Sequence, residues 1–198
     1  QRHYCPEGSQ YPIVCPNGTF AVQKVASMAG SWQCSPCPAG KYCSNGTITG
    51  DCAAGFLCEY GNYQPDPDNA TDVPGVKKGG PCPLGHYCES GTIVKQPCTN
   101  QTVGYDIGLQ RASDCLPCQP GTYCIEGSLV PIPCPPGYYC PGYVAGTLGL
   151  VPCVTGTYNP VRFATDPSFC VPCLPGYYCP LEGMASSTLF ATPPGYYS

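Results

Sequence analysis

Hydrophobic residues along the chain fall in short runs, broken every few positions by Gly, Pro or Cys. No apolar run approaches the ~20 residues needed to span a membrane as a helix. The pattern predicts two- or three-residue strands and turns, with little regular secondary structure. One stretch, Val22 to Ser31, is a candidate short helix, although Gly30 and the β-branched residues oppose it.

The dominant pattern is a repeat. Six segments share Cys-x5-Cys: Cys37–Cys43, Cys52–Cys58, Cys82–Cys88, Cys118–Cys124, Cys134–Cys140 and Cys173–Cys179. A seventh copy, Thr192 to Ser198, has lost both cysteines. The third residue after the first Cys is always Gly: Gly40, Gly55, Gly85, Gly121, Gly137, Gly176 and Gly195. A tight turn with positive φ explains Gly there, and the Pro one or two places earlier pre-sets that turn. The residue before the second Cys is Tyr in six copies and Leu57 in one. A ring at that position packs over the adjacent bridge and leaves its hydroxyl in water.

A second element separates these units. Cys15–Cys34, Cys98–Cys115 and Cys153–Cys170 bracket longer loops, and each ends in Cys-x2-Cys: Cys34/Cys37, Cys115/Cys118 and Cys170/Cys173. The repeats divide the chain into a partial repeat at 1–14, a first repeat at 15–97, a second at 98–152 and a third at 153–198. The first repeat holds an inserted loop at 59–81, rich in Pro, Asp and Asn, and the third has a cysteine-free end.

Composition changes the picture from a globular domain to a stapled one. Cys accounts for 19 of 198 residues, and Gly and Pro for 25 and 26 more. Leu, Ile, Val and Phe together supply only 34 residues. That is too little aliphatic material for one large core, so covalent cross-links must carry the fold. So many thiols point to an oxidising compartment and hence to a secreted or cell-surface protein. Four N-glycosylation motifs agree, at Asn17, Asn45, Asn69 and Asn100. The N-terminus lacks the apolar stretch of a signal peptide and reads as a mature or excised fragment. A net charge of −4 with no basic stripe argues against nucleic acid as a partner.

Parity constrains the pairing. If Cys-x5-Cys units bridged to their neighbours, Cys173 and Cys179 would be orphaned by Thr192 and Ser198. If each unit closes on itself, nothing is orphaned, and the isolated unit Cys82/Cys88 points the same way. The expectation is six short loops within units and three longer ones, 15–34, 98–115 and 153–170. Spacing also allows crossed pairing inside Cys37/43/52/58 and Cys118/124/134/140. This scheme leaves Cys5, which sits like the second Cys of a unit. It is either the remnant of a unit whose partner lies before Gln1 or a thiol that bridges to another chain.

The string Cys-x2-Gly-x-Tyr-Cys with intervening Cys-x2-Cys resembles the ephrin-receptor-like cysteine-rich repeat. The loops 98–115 and 153–170 are also similar to the first loop of tumour necrosis factor receptor repeats. The resemblance covers nearly the whole chain outside 59–81. It implies an extracellular module, with adhesion, receptor and structural roles all represented. Gln101, where Gly18 and Gly156 stand in the other loops, departs from the pattern.

Other chemistry finds little support. Structural zinc would need two Cys-x2-Cys pairs converging on one ion, whereas here each pair continues into Cys-x5-Cys. A redox Cys-x2-Cys lacks its βαβ setting. His3 and His86 precede Tyr-Cys pairs at a variable position and read as surface residues, not catalytic ones. Asp66, Asp68 and Asp72 lack the spacing of an EF-hand and read as a solvated acidic loop. No catalytic, cofactor or metal site is expected. The exposed-ring candidates Tyr138, Tyr139, Tyr177, Tyr178, Tyr196 and Tyr197 would serve contacts between chains, with packing on the bridges the duller account.

The resulting expectation is a small disulfide-rich fold, an elongated tandem array of Cys-stapled loops, in a non-enzymatic extracellular structural glycoprotein. Its partners would be other copies of itself, head-to-tail or lateral, or another extracellular protein. N-linked glycans are expected, and membrane insertion by this segment is not. The alternative is a ligand-binding or adhesion ectodomain of a cell-surface receptor.

Overall fold

A computed structural model describes residues 3–22, 29–68, 79–143 and 148–195. The chain divides into two compact units, Gln1–Pro97 with Asp106–Asp114, and Cys98–Tyr105 with Cys115–Ser198. Each is built from the same small element.

That element is a seven-residue turn followed by a return to a minimal hairpin. In the second unit, Thr122–Tyr123 pairs antiparallel with Ile132–Pro133, immediately before Cys134. Tyr138–Tyr139 pairs with Val151–Pro152 before Cys153, and Thr157–Tyr158 pairs with Val171–Pro172 before Cys173. In the first unit, Phe56–Leu57 pairs with Gly80–Pro81 before Cys82, and His86–Tyr87 with Gln96–Pro97. Among the described residues nine two-stranded antiparallel sheets result, none joined to another.

The shortness of the strands follows from the sequence. The residue before the next first Cys is Pro in seven of the nine returning strands. Pro has no N–H to give a further partner, so each hairpin ends as an edge. An isolated two-stranded hairpin is marginal in water, so something else must hold it.

Half-cystines supply that. Among the described residues, the buried apolar set consists of sixteen cysteines and only Ala21, Val103, Ala164 and Met184 besides. Large aliphatic side chains lie outside: Ile93, Val94, Leu129 and Val130 are all more than half exposed. The core is therefore mostly sulfur, and the fold is small and disulfide-rich with little regular secondary structure.

Helical structure among the described residues is limited to three single-turn 3₁₀ segments, Ser31–Gln33, Ala112–Asp114 and Pro167–Phe169. Each delivers the chain to the second Cys of a long loop. Of the expected helix at Val22 to Ser31, residues 23–28 lie outside the described residues, while Ala29 and Gly30 are not helical. Gln33 Oε1 accepts from the amides of Ala29 and Gly30 and caps the 3₁₀ turn there.

Candidate functional site: the interleaved cysteine turns

The nine bridges are Cys15–Cys34, Cys37–Cys43, Cys52–Cys58, Cys82–Cys88, Cys98–Cys115, Cys118–Cys124, Cys134–Cys140, Cys153–Cys170 and Cys173–Cys179. No bridge crosses between neighbouring Cys-x5-Cys segments. Cys5 is free and exposed.

Within each of the two compact units, successive turns are joined by one repeated exchange of backbone hydrogen bonds. The turn residue donates its N–H to the carbonyl of the next turn's last residue, and its own carbonyl accepts from that turn's first residue. Gly121 donates to Cys140 at 2.8 Å and accepts from Cys134 at 2.9 Å. Gly18 does the same with Cys43 and Cys37, Gly40 with Cys58 and Cys52, and Gly55 with Cys88 and Cys82. In the cysteine-free copy Thr192 likewise donates to the Gly176 carbonyl, at 2.8 Å.

This exchange exposes a feature the cysteine spacing conceals. Gly137 donates to the carbonyl of Asn159 and accepts from Cys153, so Asn159 stands where a second Cys would be. The long loops therefore begin with the same seven-residue turn, Cys15–Ala21, Cys98–Gly104 and Cys153–Asn159. Their first Cys bridges onward because no Cys lies six residues away. Asn159 is fully buried. Its Nδ2 donates to the Tyr138 carbonyl at 2.8 Å, and its Oδ1 accepts from the Val161 amide at 2.9 Å. A buried amide with both ends satisfied substitutes for a sulfur bridge. The sequence signal was available: Phe20, Val103 and Tyr158 occupy the ring position of the short units.

A second layer locks the first. After six of the turns the chain returns over the turn before it. Gly61 donates to Cys37, Gly91 to Cys52 and Gly108 to Cys82; in the second unit Gly127 donates to Cys98, Phe163 to Cys134 and Gly183 to Cys153. All six return residues have positive φ, and Phe163 alone is not Gly, at φ 61°. Gln101 is the matching exception among the turn residues, at φ 65° and buried. Both hold a backbone conformation that costs a non-glycine residue roughly 1–2 kcal/mol.

The returning carbonyl also covers the turn two places back. A methyl on Gly121 would meet the Phe163 carbonyl oxygen at 2.8 Å, and one on Gly55 would meet that of Gly108 at 2.6 Å. The turns of Gly55 and Gly121 thus each touch the next turn, and the return from the turn after that.

The remaining expected residues fall into place individually. Tyr42, Tyr87, Tyr123 and Tyr139 are half-buried beside their bridges, as are Tyr138 and Tyr177. Of the rings proposed for contacts between chains, only Tyr178 is exposed among the described residues, and it packs against Phe190 at a centroid distance of 5.7 Å. Tyr196 and Tyr197 lie outside the described residues. The returning chain accounts for one of the half-buried rings: the Tyr138 ring lies against Gly183, where an added methyl would meet it at 3.0 Å.

His86 Nδ1 lies 3.0 Å from the Leu84 carbonyl, and His3 is exposed in a hairpin strand opposite Val14. Asp66 and Asp68 are exposed, and Asp72 lies outside the described residues. Among the described residues no group of three or more His, Cys, Asp or Glu converges to hold a metal ion.

Electrostatics is sparse. Lys41 pairs with Asp51 across the Lys41–Ser44 hairpin, with both side chains near half exposed. Asp166 caps the Pro167–Phe169 turn. Hydrogen bonds from the Ser168 hydroxyl and amide, and from the Thr165 hydroxyl, hold its carboxyl below the ordinary value of 3.8.

No protein-family model matches the chain, and no curated protein sequence does. The class is therefore defined by the fold alone: a disulfide-rich array of short turns. No helix among the described residues is long and apolar enough to cross a membrane.

Proposed function

We propose that this chain is a structural, non-enzymatic segment of an extracellular protein that builds an elongated surface or filamentous assembly. The observation that carries this reading is the repeated two-bond exchange between successive turns. It spends each element's few backbone groups on its neighbours in the array and buries sulfur in place of an aliphatic core. Such construction resists unfolding and proteolysis, because nine bridges shorten every segment that can be released. Bridges of this number also suit an oxidising, extracellular setting. The resemblance to ephrin-receptor-like repeats supports the same compartment.

The exposed aliphatic side chains, Ile93 and Val94 in the first unit and separately Leu129 and Val130 in the second, favour a second reading, a receptor or adhesion ectodomain that binds a protein through one or other of these pairs. Electron microscopy of native material separates the two. The structural reading expects polymers or long particles. Monodisperse monomers that assemble only with a second protein would replace it with the ectodomain reading.

A further inference from the structure

The chain has six Asn residues, and they sort into two groups. Asn62 and Asn159 lie outside any glycosylation motif and are buried, with 1% and 0% exposure. Asn62 Nδ2 donates to the Glu59 carbonyl, and Asn159 bridges two backbone groups. Asn17, Asn45 and Asn100 lie in Asn-x-Thr motifs, and all three are exposed. The fourth motif, at Asn69, lies outside the described residues.

The three exposed motifs share one side-chain contact, although Asn45 alone of the three has positive φ, at 50°. Each is curled into a tight turn in which the motif's Thr hydroxyl donates to the carbonyl of the residue before the Asn. Thr19 Oγ1 donates to Pro16 at 2.6 Å, Thr47 Oγ1 to Ser44 at 3.2 Å and Thr102 Oγ1 to Thr99 at 2.6 Å. The backbone closes as well: the Thr19 and Thr102 amides donate to the same carbonyls at 3.0 Å, and Ser44 pairs with Thr47 in its hairpin. Asn100 is further engaged through Oδ1, which accepts from the Glu126 amide at 2.9 Å. Its Nδ2 is the atom that would carry a sugar. A glycan there would leave the Glu126 bond intact.

We infer that Asn17, Asn45 and Asn100 carry N-linked glycans, and that transfer precedes the folding of their turns. This rests on the extracellular reading above. The acceptor motif must present its amide and its hydroxyl together to a transferase. In the folded turn that hydroxyl is already given to the chain's own backbone. Asn17 and Asn100 each stand two residues after a Cys that closes a long loop, Cys15 and Cys98. Bridge closure fixes those turns, so oxidation and glycosylation compete for the same segments. In the transfer, an Asn Nδ2–H bond is replaced by a bond from Nδ2 to the anomeric carbon of a lipid-pyrophosphate-linked oligosaccharide. The pyrophosphate leaves with the electron pair of the broken C–O bond, and the amide proton passes to a base of the transferase.

The test is made on the full chain secreted from a eukaryotic host. Enzymatic deglycosylation in ¹⁸O-water, followed by peptide mass spectrometry, should mark Asn17, Asn45 and Asn100 and leave Asn62 and Asn159 unmarked. In a second arm, purified oligosaccharyltransferase and its lipid-linked donor are offered the unglycosylated chain, either reduced or fully oxidised. Modification of the reduced chain and its loss in the oxidised chain are expected. Unmarked Asn17, Asn45 and Asn100 in secreted, fully bridged protein would overturn the inference, as would equal modification of both redox forms. Failure of the chain to be secreted or to form its bridges would instead overturn the extracellular reading on which it rests.

Discussion

Gly121 and Gly156 make the same exchange with the following turn and share a backbone conformation, at φ 82° and 84°. They differ in what covers them. A methyl on Gly121 would lie 2.8 Å from the Phe163 carbonyl oxygen, whereas one on Gly156 would meet nothing within 4 Å among the described residues. Replacing either with Ala forces a side chain into the left-handed region, a cost of about 1–2 kcal/mol common to both. Gly121→Ala must in addition push back a backbone segment held by bonds from Phe163 to Cys134 and from Cys140 to Ala164. Overpacking of that kind costs about 1–3 kcal/mol. The difference between the variants is then about 1–3 kcal/mol, roughly a 5- to 150-fold change in an opening equilibrium. Native-state amide exchange at Phe163 and Cys140 reads it with all bridges intact. Gly121→Ala should accelerate exchange there by that factor beyond any effect of Gly156→Ala. Equal acceleration by both would show that the returning segment does not lie on the turn.

Two further predictions follow from the polar groups. Asn159→Ala removes the partners of the Tyr138 carbonyl and the Val161 amide in a buried place, which should lower stability by about 2–4 kcal/mol. Denaturant unfolding at constant redox state measures it, and a loss below about 0.5 kcal/mol would refute the substitution of amide for bridge. The Asp166 carboxyl titrates below its unfolded value because the charged form accepts from Ser168 and Thr165. Its folded value is depressed, so its stabilisation is complete above the ordinary carboxylate value of 3.8 and fades as pH falls through the lower folded value. Carboxyl ¹³C titration should find Asp166 below the ordinary carboxylate value of 3.8. A value at or above 3.8 would deny the cap.

What could be read in the sequence was whatever cysteine and glycine announce directly. Gly121 and its equivalents mark turns because no other residue enters that conformation cheaply. The scarcity of aliphatic residues announces a stapled fold before any strand is placed. The interleaving was not legible, because it runs through backbone groups that carry no residue signature. Gly61 and Phe163 perform the same return, yet nothing local relates them. Asn159 was hidden for a related reason: a search keyed on Cys passes over a position where an amide takes its place. The half-burial of Tyr138 and Tyr177 likewise depends on how the chain returns over each turn, which the alternation of two adjacent rings does not reveal.

The central claim is that each short unit closes on itself, since the sulfur core and the interleaved turns both depend on it. Non-reducing peptide mass spectrometry tests it most directly. The account predicts linked pairs 37–43, 52–58, 82–88, 118–124, 134–140 and 173–179, the three longer bridges, and a single alkylated thiol at Cys5. A bridge between neighbouring units, such as Cys43 with Cys52, would contradict it.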